Sequence, residues 1–182
     1  SAGGGRSHSA STPQRRYLDR RIQPHPSSIG QAMPGTYTQL LLHVVFSTKH
    51  REPRISPTIA ARLHPYLGGI ITTERCQSLA IGGVDDHIHL YLRARPDIAL
   101  SDLMREVKSR SSKWIHESFP AQAEFEWQTG YAAFAVSKSL EPEVKRYIAR
   151  QAEHHAKQDF KAELLHMLRI NDIEFDERYI FD

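Results

Sequence analysis

The chain has 182 residues, 40% of them hydrophobic and 25% charged, which suits a globular protein of one cored domain plus a tail. Its one cysteine, Cys76, excludes an intramolecular disulfide and a cysteine-built zinc site, and fits a reducing compartment. The net charge of +3 is unevenly placed: five arginines and one aspartate put residues 1–35 at +4, which leaves residues 36–182 at −1. A basic surface on the folded part must therefore be a local patch. No apolar run approaches the roughly 18 residues of a membrane span. The polar N-terminus lacks the apolar stretch of a signal peptide, so a cytoplasmic protein is expected.

Residues 1–35 hold Gly3-Gly4-Gly5, scattered serines and Pro13, Pro24, Pro26 and Pro34, and read as a disordered basic arm. From Tyr37 to Thr48 the run YTQLLLHVVFST predicts a strand, and its near-continuous apolarity a central one. Ser56-Pro57 predicts an N-cap and first turn for a helix reaching about Arg75. Leu63, Leu67, Ile70 and Ile71 form its buried stripe, and Pro65 predicts a kink. Gln77 to Ile81 and His87 to Arg95 predict two more strands, joined by a tight hairpin through Gly82-Gly83-Val84-Asp85. A capping box beginning at Ser101 predicts a helix to about Ser118 with Leu103, Val107, Trp114 and Ile115 as its apolar members. Short strands are expected at Phe125 to Trp127 and Tyr131 to Ser137. Glu141-Pro142 opens a third helix to about His155, and Phe160 to Leu168 reads as another short amphipathic helix. Residues 171–182 form an acidic tail in which Phe175, Tyr179, Ile180 and Phe181 can dock. The order β-α-β-β-α-β predicts an α+β, ferredoxin-like (split β-α-β) fold: an antiparallel sheet with helices on one face, the other face free for a ligand, and a tyrosine-bearing helix beyond it.

The third strand carries Asp86-His87-Ile88-His89-Leu90. Alternation puts His87 and His89 on one face and Ile88, Leu90 and Leu92 on the other. Two imidazoles one pleat apart can share a divalent metal, with the strand fixing their separation. They could equally line a solvated face. On the third helix Tyr147 and Gln151 stand at i and i+4 and share a side, with His154 and His155 one turn on. A phenol and a carboxamide stacked in this way could serve as nucleophile and third metal ligand, or as no more than surface residues.

Taken together, Phe46-Ser47-Thr48-Lys49-His50-Arg51, Asp86-His87-Ile88-His89-Leu90, Trp127-Gln128-Thr129-Gly130-Tyr131 and Tyr147-Ile148-Ala149-Arg150-Gln151 resemble, in this order, the single-tyrosine HUH transposases. These are the insertion-sequence-200-like family and its REP-associated relatives. The resemblance spans roughly Tyr37 to Leu168 and marks residues 36–170 as a catalytic domain. It departs from the family at Asp85, where a proline is usual, and in the long basic arm. The resemblance implies Mg²⁺ or Mn²⁺ held by His87, His89 and Gln151, and Tyr147 as nucleophile. It implies cleavage of single-stranded DNA with hairpin structure, through a 5′-phosphotyrosine link and a free 3′-OH. It further implies a homodimer, commonly with the tyrosine helix of one subunit completing the other's site, and a nucleoid-associated place of work. A tyrosine ester conserves phosphodiester energy, so a strand can be rejoined without ATP. The ordinary tyrosine pKa of about 10 calls for activation, for which His154, His155 or a metal-bound hydroxide are the candidates. The histidines must be neutral to bind metal, so activity should fall below roughly pH 6.

For DNA contact the candidates are Lys49 and Arg51, with Arg54, after the first strand, and Arg105, Lys108, Arg110 and Lys113 on the second helix. Trp127 and Tyr131 could stack on bases or belong to the core. His43 is expected to be structural. The rival function is a non-cleaving, domesticated hairpin-binding protein of the same fold. A hydrolytic nuclease using water in place of Tyr147 is a third possibility.

Overall fold

Near-continuous apolar sequence makes β1 (Leu40–Ser47) the buried spine of a four-stranded sheet. The computed structural model describes residues 37–155, 159–178 and 180; the N-terminal arm, Tyr179, Phe181 and the side chain of His154 lie outside the described residues. After β1 come α1 (Pro57–Thr73), β2 (Gln77–Gly83), β3 (His87–Ala94), α2 (Leu100–Ser118), β4 (Ala132–Ala135), α3 (Glu141–Ala149), α4 (Gln151–His155) and α5 (Phe160–Ile170). The strand order β2-β3-β1-β4 is antiparallel throughout, which is the split β-α-β arrangement. Among the described residues no helix is long and apolar enough to cross a membrane.

Local signals set most boundaries. Ser56 caps α1, its hydroxyl accepting from the Ile59 amide at 3.3 Å, with Pro57 at the start of the helix. The helix stays continuous through Pro65 and buries Leu63, Leu67, Ile70 and Ile71 as expected. Four of these local expectations need correction. Tyr37 is 95% exposed, and pairing starts only at Leu40. Ser101 does not cap α2; Ala99 occupies the cap position and gives no side-chain bond. Phe125 to Trp127 makes no strand, only a single bridge from Trp127 to Thr48. The third helix does not run to His155: it ends at Ala149, Arg150 leaves helical geometry, and α4 begins at Gln151.

The sheet has two buried faces. Val44, Phe46, Ile88, Leu90 and Leu92 pack against α1 and α2 with Leu63, Leu67, Leu103 and Val107. Full burial of such side chains stabilises by about 1.5–3 kcal/mol each. The opposite face was expected to be open. Instead α5 covers it, setting Phe160, Leu164, Met167 and Leu168 on Val45 and Phe134. Beside it Ile148 of α3 packs on Leu41 and Tyr91. Of the tail anchors, Phe175 and Ile180 join the α5 cluster.

Candidate metal and tyrosine site

The covered face carries the polar cluster. The β3 pleat turns His87 and His89 to the same side, where both are fully buried. On β1, Val45 pairs with His89 and His43 with Tyr91, so His43 is the diagonal neighbour of His89. His43 Nε2 lies 3.0 Å from His89 Nδ1. Burial lowers the pKa of His43 to about 4 and holds that of His89 well below the usual imidazole range, so both rings are neutral near pH 7. His43 is thus structural in a particular sense: it orients a member of the cluster.

His87 donates from Nδ1 to Asp86 Oδ1 at 2.6 Å. Burial works against the Asp86 charge, but hydrogen bonds from His87 and Arg51 outweigh it and keep the carboxyl below its usual pKa. With Nδ1 carrying the proton, a neutral His87 presents a bare Nε2, and 3.4 Å away stands Gln151 Oε1. The Gln151 amide is fixed in that sense because its Nε2 donates to Glu163 Oε1 at 3.2 Å. Two electron-pair donors therefore face one another in a buried pocket. Among the described residues His89 Nε2 has no hydrogen bond, and it lies 3.7 Å from Glu163 Oε1. A buried orphan acceptor beside a nitrogen–oxygen donor pair is what a bound cation would reconcile, so these residues fit a divalent metal.

Two further donors come from elements the histidine motif does not include. Glu163 of α5 is 3% exposed, and its Oε2 is 2.7 Å from His155 Nε2. Burial, aided by the Asp86 charge, pushes the Glu163 pKa up to about 7. His87, His89, His155 and Glu163 each offer a ligand atom, and those atoms lie within 4.8 Å of one another. Phe160 stacks on the His87 ring at 3.9 Å and 7° and closes the pocket from above.

Tyr147 reaches the same pocket. Its ring stands edge-on to His89 at 5.7 Å and to His43 at 6.0 Å. The seating is set by Gly82 on β2, where an added Cβ would stand 2.5 Å from the Ile148 carbonyl oxygen. Tyr147 and Gln151 thus meet at one site although a helix break at Arg150 separates them.

The basic residues are scattered. Arg51 bridges Asp86 (3.1 Å) and Asp159 (2.7 Å), tying the start of β3 to the start of α5. Lys49 pairs with Glu126. Lys108 donates to the carbonyls of Gln128 (2.8 Å), Thr129 (3.3 Å) and Gly130, and burial lowers its pKa to about 8. Arg105 pairs with Asp102 at 2.8 Å, Arg110 with Glu74 at 3.6 Å and Lys113 with Glu117 at 3.9 Å. All four α2 cations sit on a helix packed against the sheet face opposite the histidines. Arg54 pairs with Glu52 and Glu124. Trp127 belongs to the core, donating to Ser111 Oγ at 2.9 Å. Tyr131 lines an open groove of about 470 Å³ between α2 and residues 125–131.

Sequence reasoning missed Glu163 and Asp86, and took His155 only as a base. One signal was present. Phe160, Glu163, Leu164, Met167 and Leu168 follow helical spacing, so Glu163 occupies a position of the apolar stripe. A carboxylate there has to find a partner.

The family model described as "Transposase IS200 like" matches residues 36–151. The chain is 25% identical over 122 residues to the ISDra2 transposase TnpA of Deinococcus radiodurans, covering 64% of this chain and 87% of that protein. A crystal structure from Deinococcus radiodurans, assigned as a transposase, superposes with a TM-score of 0.56 at 24% identity, covering 67% of this chain and 98% of that one. A REP-associated tyrosine transposase bound to a REP hairpin superposes with a TM-score of 0.51 at 15% identity, covering 69% and 74%. Both solved structures share the fold.

Proposed function

Because the chain belongs to the IS200-like transposase family, and is thereby a DNA-processing enzyme, we propose that it cuts and rejoins single-stranded DNA through Tyr147. The observation that carries this reading is that Tyr147 stands against His89 in the pocket where His87 meets Gln151. His87 Nε2, His89 Nε2 and Gln151 Oε1 would hold the divalent metal, Mg²⁺ or Mn²⁺. When bound, it polarises the scissile phosphate and stabilises the charge that develops on it. The chain's own residues do the rest. Tyr147 Oη attacks the phosphorus, the bond from phosphorus to the 3′ oxygen breaks, and the 3′ oxygen leaves as a hydroxyl carrying the proton that the phenol gave up. The product is a 5′-phosphotyrosine, and attack by a 3′-OH reverses the step without ATP. Asp86 and His43 are positioning residues, holding the two imidazoles from their Nδ1 sides.

Phe160 and Glu163 cover the histidine pair, so a phosphate enters only when the start of α5 withdraws. We assign Arg105, Arg110 and Lys113 to backbone phosphates of a hairpin stem, away from the cut, because α2 lies on the other face of the sheet, and Lys49 to a phosphate from the turn after β1. Arg51 and Lys108 hold the fold by the contacts described above. The closeness of Tyr147 to its own chain's His89 supports a site completed in cis, within a homodimer or without one. A mixture of His87→Ala and Tyr147→Phe chains tests this: restored activity would mean that the site is shared between subunits.

The direct test is a covalent-adduct assay on a denaturing gel, using labelled single strands that carry a hairpin, with Mn²⁺ or EDTA. The expected result is a metal-dependent protein–DNA band, absent in Tyr147→Phe and lost in His87→Ala and His89→Ala. An undiminished band in Tyr147→Phe would remove Tyr147 from its role. Hairpin binding without any adduct would favour the non-cleaving binder.

A further inference from the structure

We propose that His87, His89, His155 and Glu163 form a closed four-donor site for a zinc-class ion, and that this ion fastens α5 over the histidine pair. The inference rests on the reading above in one respect, the use of His87 and His89 as metal ligands. It adds two ligands, a class of ion and a consequence for access.

The donor set is built as well as close. The four ligand atoms lie within 4.8 Å of one another and come from β3, α4 and α5, elements that only the fold brings together. Among the described residues His89 Nε2 is buried without a hydrogen bond. Among the described residues the ion pairs of Glu163 are both with histidines, His89 at 3.7 Å and His155 at 2.7 Å, and no lysine or arginine answers its carboxylate. The outer partners are in place too: Asp86 holds His87 by Nδ1 and His43 holds His89 by Nδ1, each leaving Nε2 turned inward.

The chemistry selects the ion. Three imidazole nitrogens and one carboxylate oxygen are the borderline donors of a tetrahedral zinc site. Mg²⁺ takes octahedral coordination and retains several waters, for which the pocket offers room only with α5 withdrawn and not while Phe160 roofs it. Four protein donors leave no open position, and an open position is what separates a catalytic zinc site from a structural one. The ion bound in this way cannot take a phosphate oxygen. It bridges β3 to α5, in parallel with the Arg51–Asp159 ion pair at 2.7 Å. Gln151 Oε1, 3.4 Å from His87 Nε2, is the donor that remains for the pair once Glu163 swings away with α5.

The test uses the full chain, stripped of metal with a chelator, and titrates Zn²⁺ against a chromophoric competitor and Co²⁺ by visible absorption. The expected result is one Zn²⁺ per chain and the intense visible bands of four-coordinate Co²⁺. Glu163→Gln and His155→Ala should each weaken Zn²⁺ by at least about tenfold, the loss that even outer partners of a metal ligand produce. Both should also replace the Co²⁺ bands with the weak spectrum of higher coordination. The two variants lie on different helices, so misfolding of one, visible by circular dichroism, leaves the other to decide. A weak, six-coordinate Co²⁺ spectrum in the native chain, or native Zn²⁺ affinity in the folded variants, overturns the proposal. The Mn²⁺ adduct assay tests Tyr147 and the His87–His89 pair and does not call on His155 or Glu163, so native Zn²⁺ and Co²⁺ binding without an adduct, or an adduct without four-coordinate Co²⁺, tells failure of that reading from failure of this one.

Discussion

Gly82→Ala is the sharpest probe of how the tyrosine is placed. The new Cβ would stand 2.5 Å from the Ile148 carbonyl oxygen and 2.9 Å from Ile148 Cγ2. The first of these is backbone and cannot rotate away. Restoring ordinary contact at about 3.5 Å requires α3 to move out by about 1 Å. Ile148 follows Tyr147 directly and is itself buried against Leu41 and Tyr91, so the phenol moves with it. Overpacking of this kind costs about 1–3 kcal/mol, which a folded domain survives. A displacement of about 1 Å at a reacting group costs on the order of 100-fold in rate. Gly82→Ala should therefore stay folded, melt a few degrees lower, and form the tyrosine adduct about 100-fold more slowly in a single-turnover assay with Mn²⁺. Gly69→Ala is the control: on α1 its Cβ meets nothing within 4 Å, and the adduct rate should not change. A folded Gly82→Ala chain with the native adduct rate would show that the Gly82–Ile148 contact does not set the position of Tyr147.

Further outcomes follow from the same geometry. The metal-free protein should gain stability as pH rises from about 4 to 6.5, because unfolded histidines hold protons that buried His43 (pKa about 4) and His89 (well below 6.5) do not. Glu163, raised from 4.5 to about 7, opposes this between those values, since there the folded state holds the extra proton. Two histidines outweigh one carboxylate, and His43→Gln should reduce the slope by about 1.4 kcal/mol per pH unit in that window. An unchanged slope in chelator-treated chemical melts would mean that His43 is not buried neutral. Phe160→Ala removes a ring stacked at 3.9 Å on His87 and 1% exposed, at a cost of up to about 3–5 kcal/mol. Hydrogen exchange should quicken in Phe160–Ile170 and not in β1 or β3; uniform quickening would mean that α5 is no separate unit.

Much of this protein was readable in its sequence, because the signals are local. A near-continuous apolar run made β1 the spine, Ser56-Pro57 started α1, and pleat alternation put His87 and His89 on one side of β3. Such patterns depend on φ/ψ preferences and side-chain periods within a few residues, which the chain carries wherever it folds. The split β-α-β order followed from the succession of elements. What lay out of reach depends on packing between distant segments. That α5 roofs the histidines follows from Phe160 and Leu164 finding Val45 and Phe134. That Glu163 and His155 join His89 follows from where the chain goes after its break at Arg150. The helix-long spacing of Tyr147 and Gln151 was not the reason they share a pocket; β2 seats one through Gly82, and α5 holds the other through Glu163. The cations of α2, promising as a sequence patch, went to the opposite face because the apolar stripe of that helix decided which way it packed. A sequence states which side chains a strand or helix can show; only the buried contacts of the whole fold decide which of them meet.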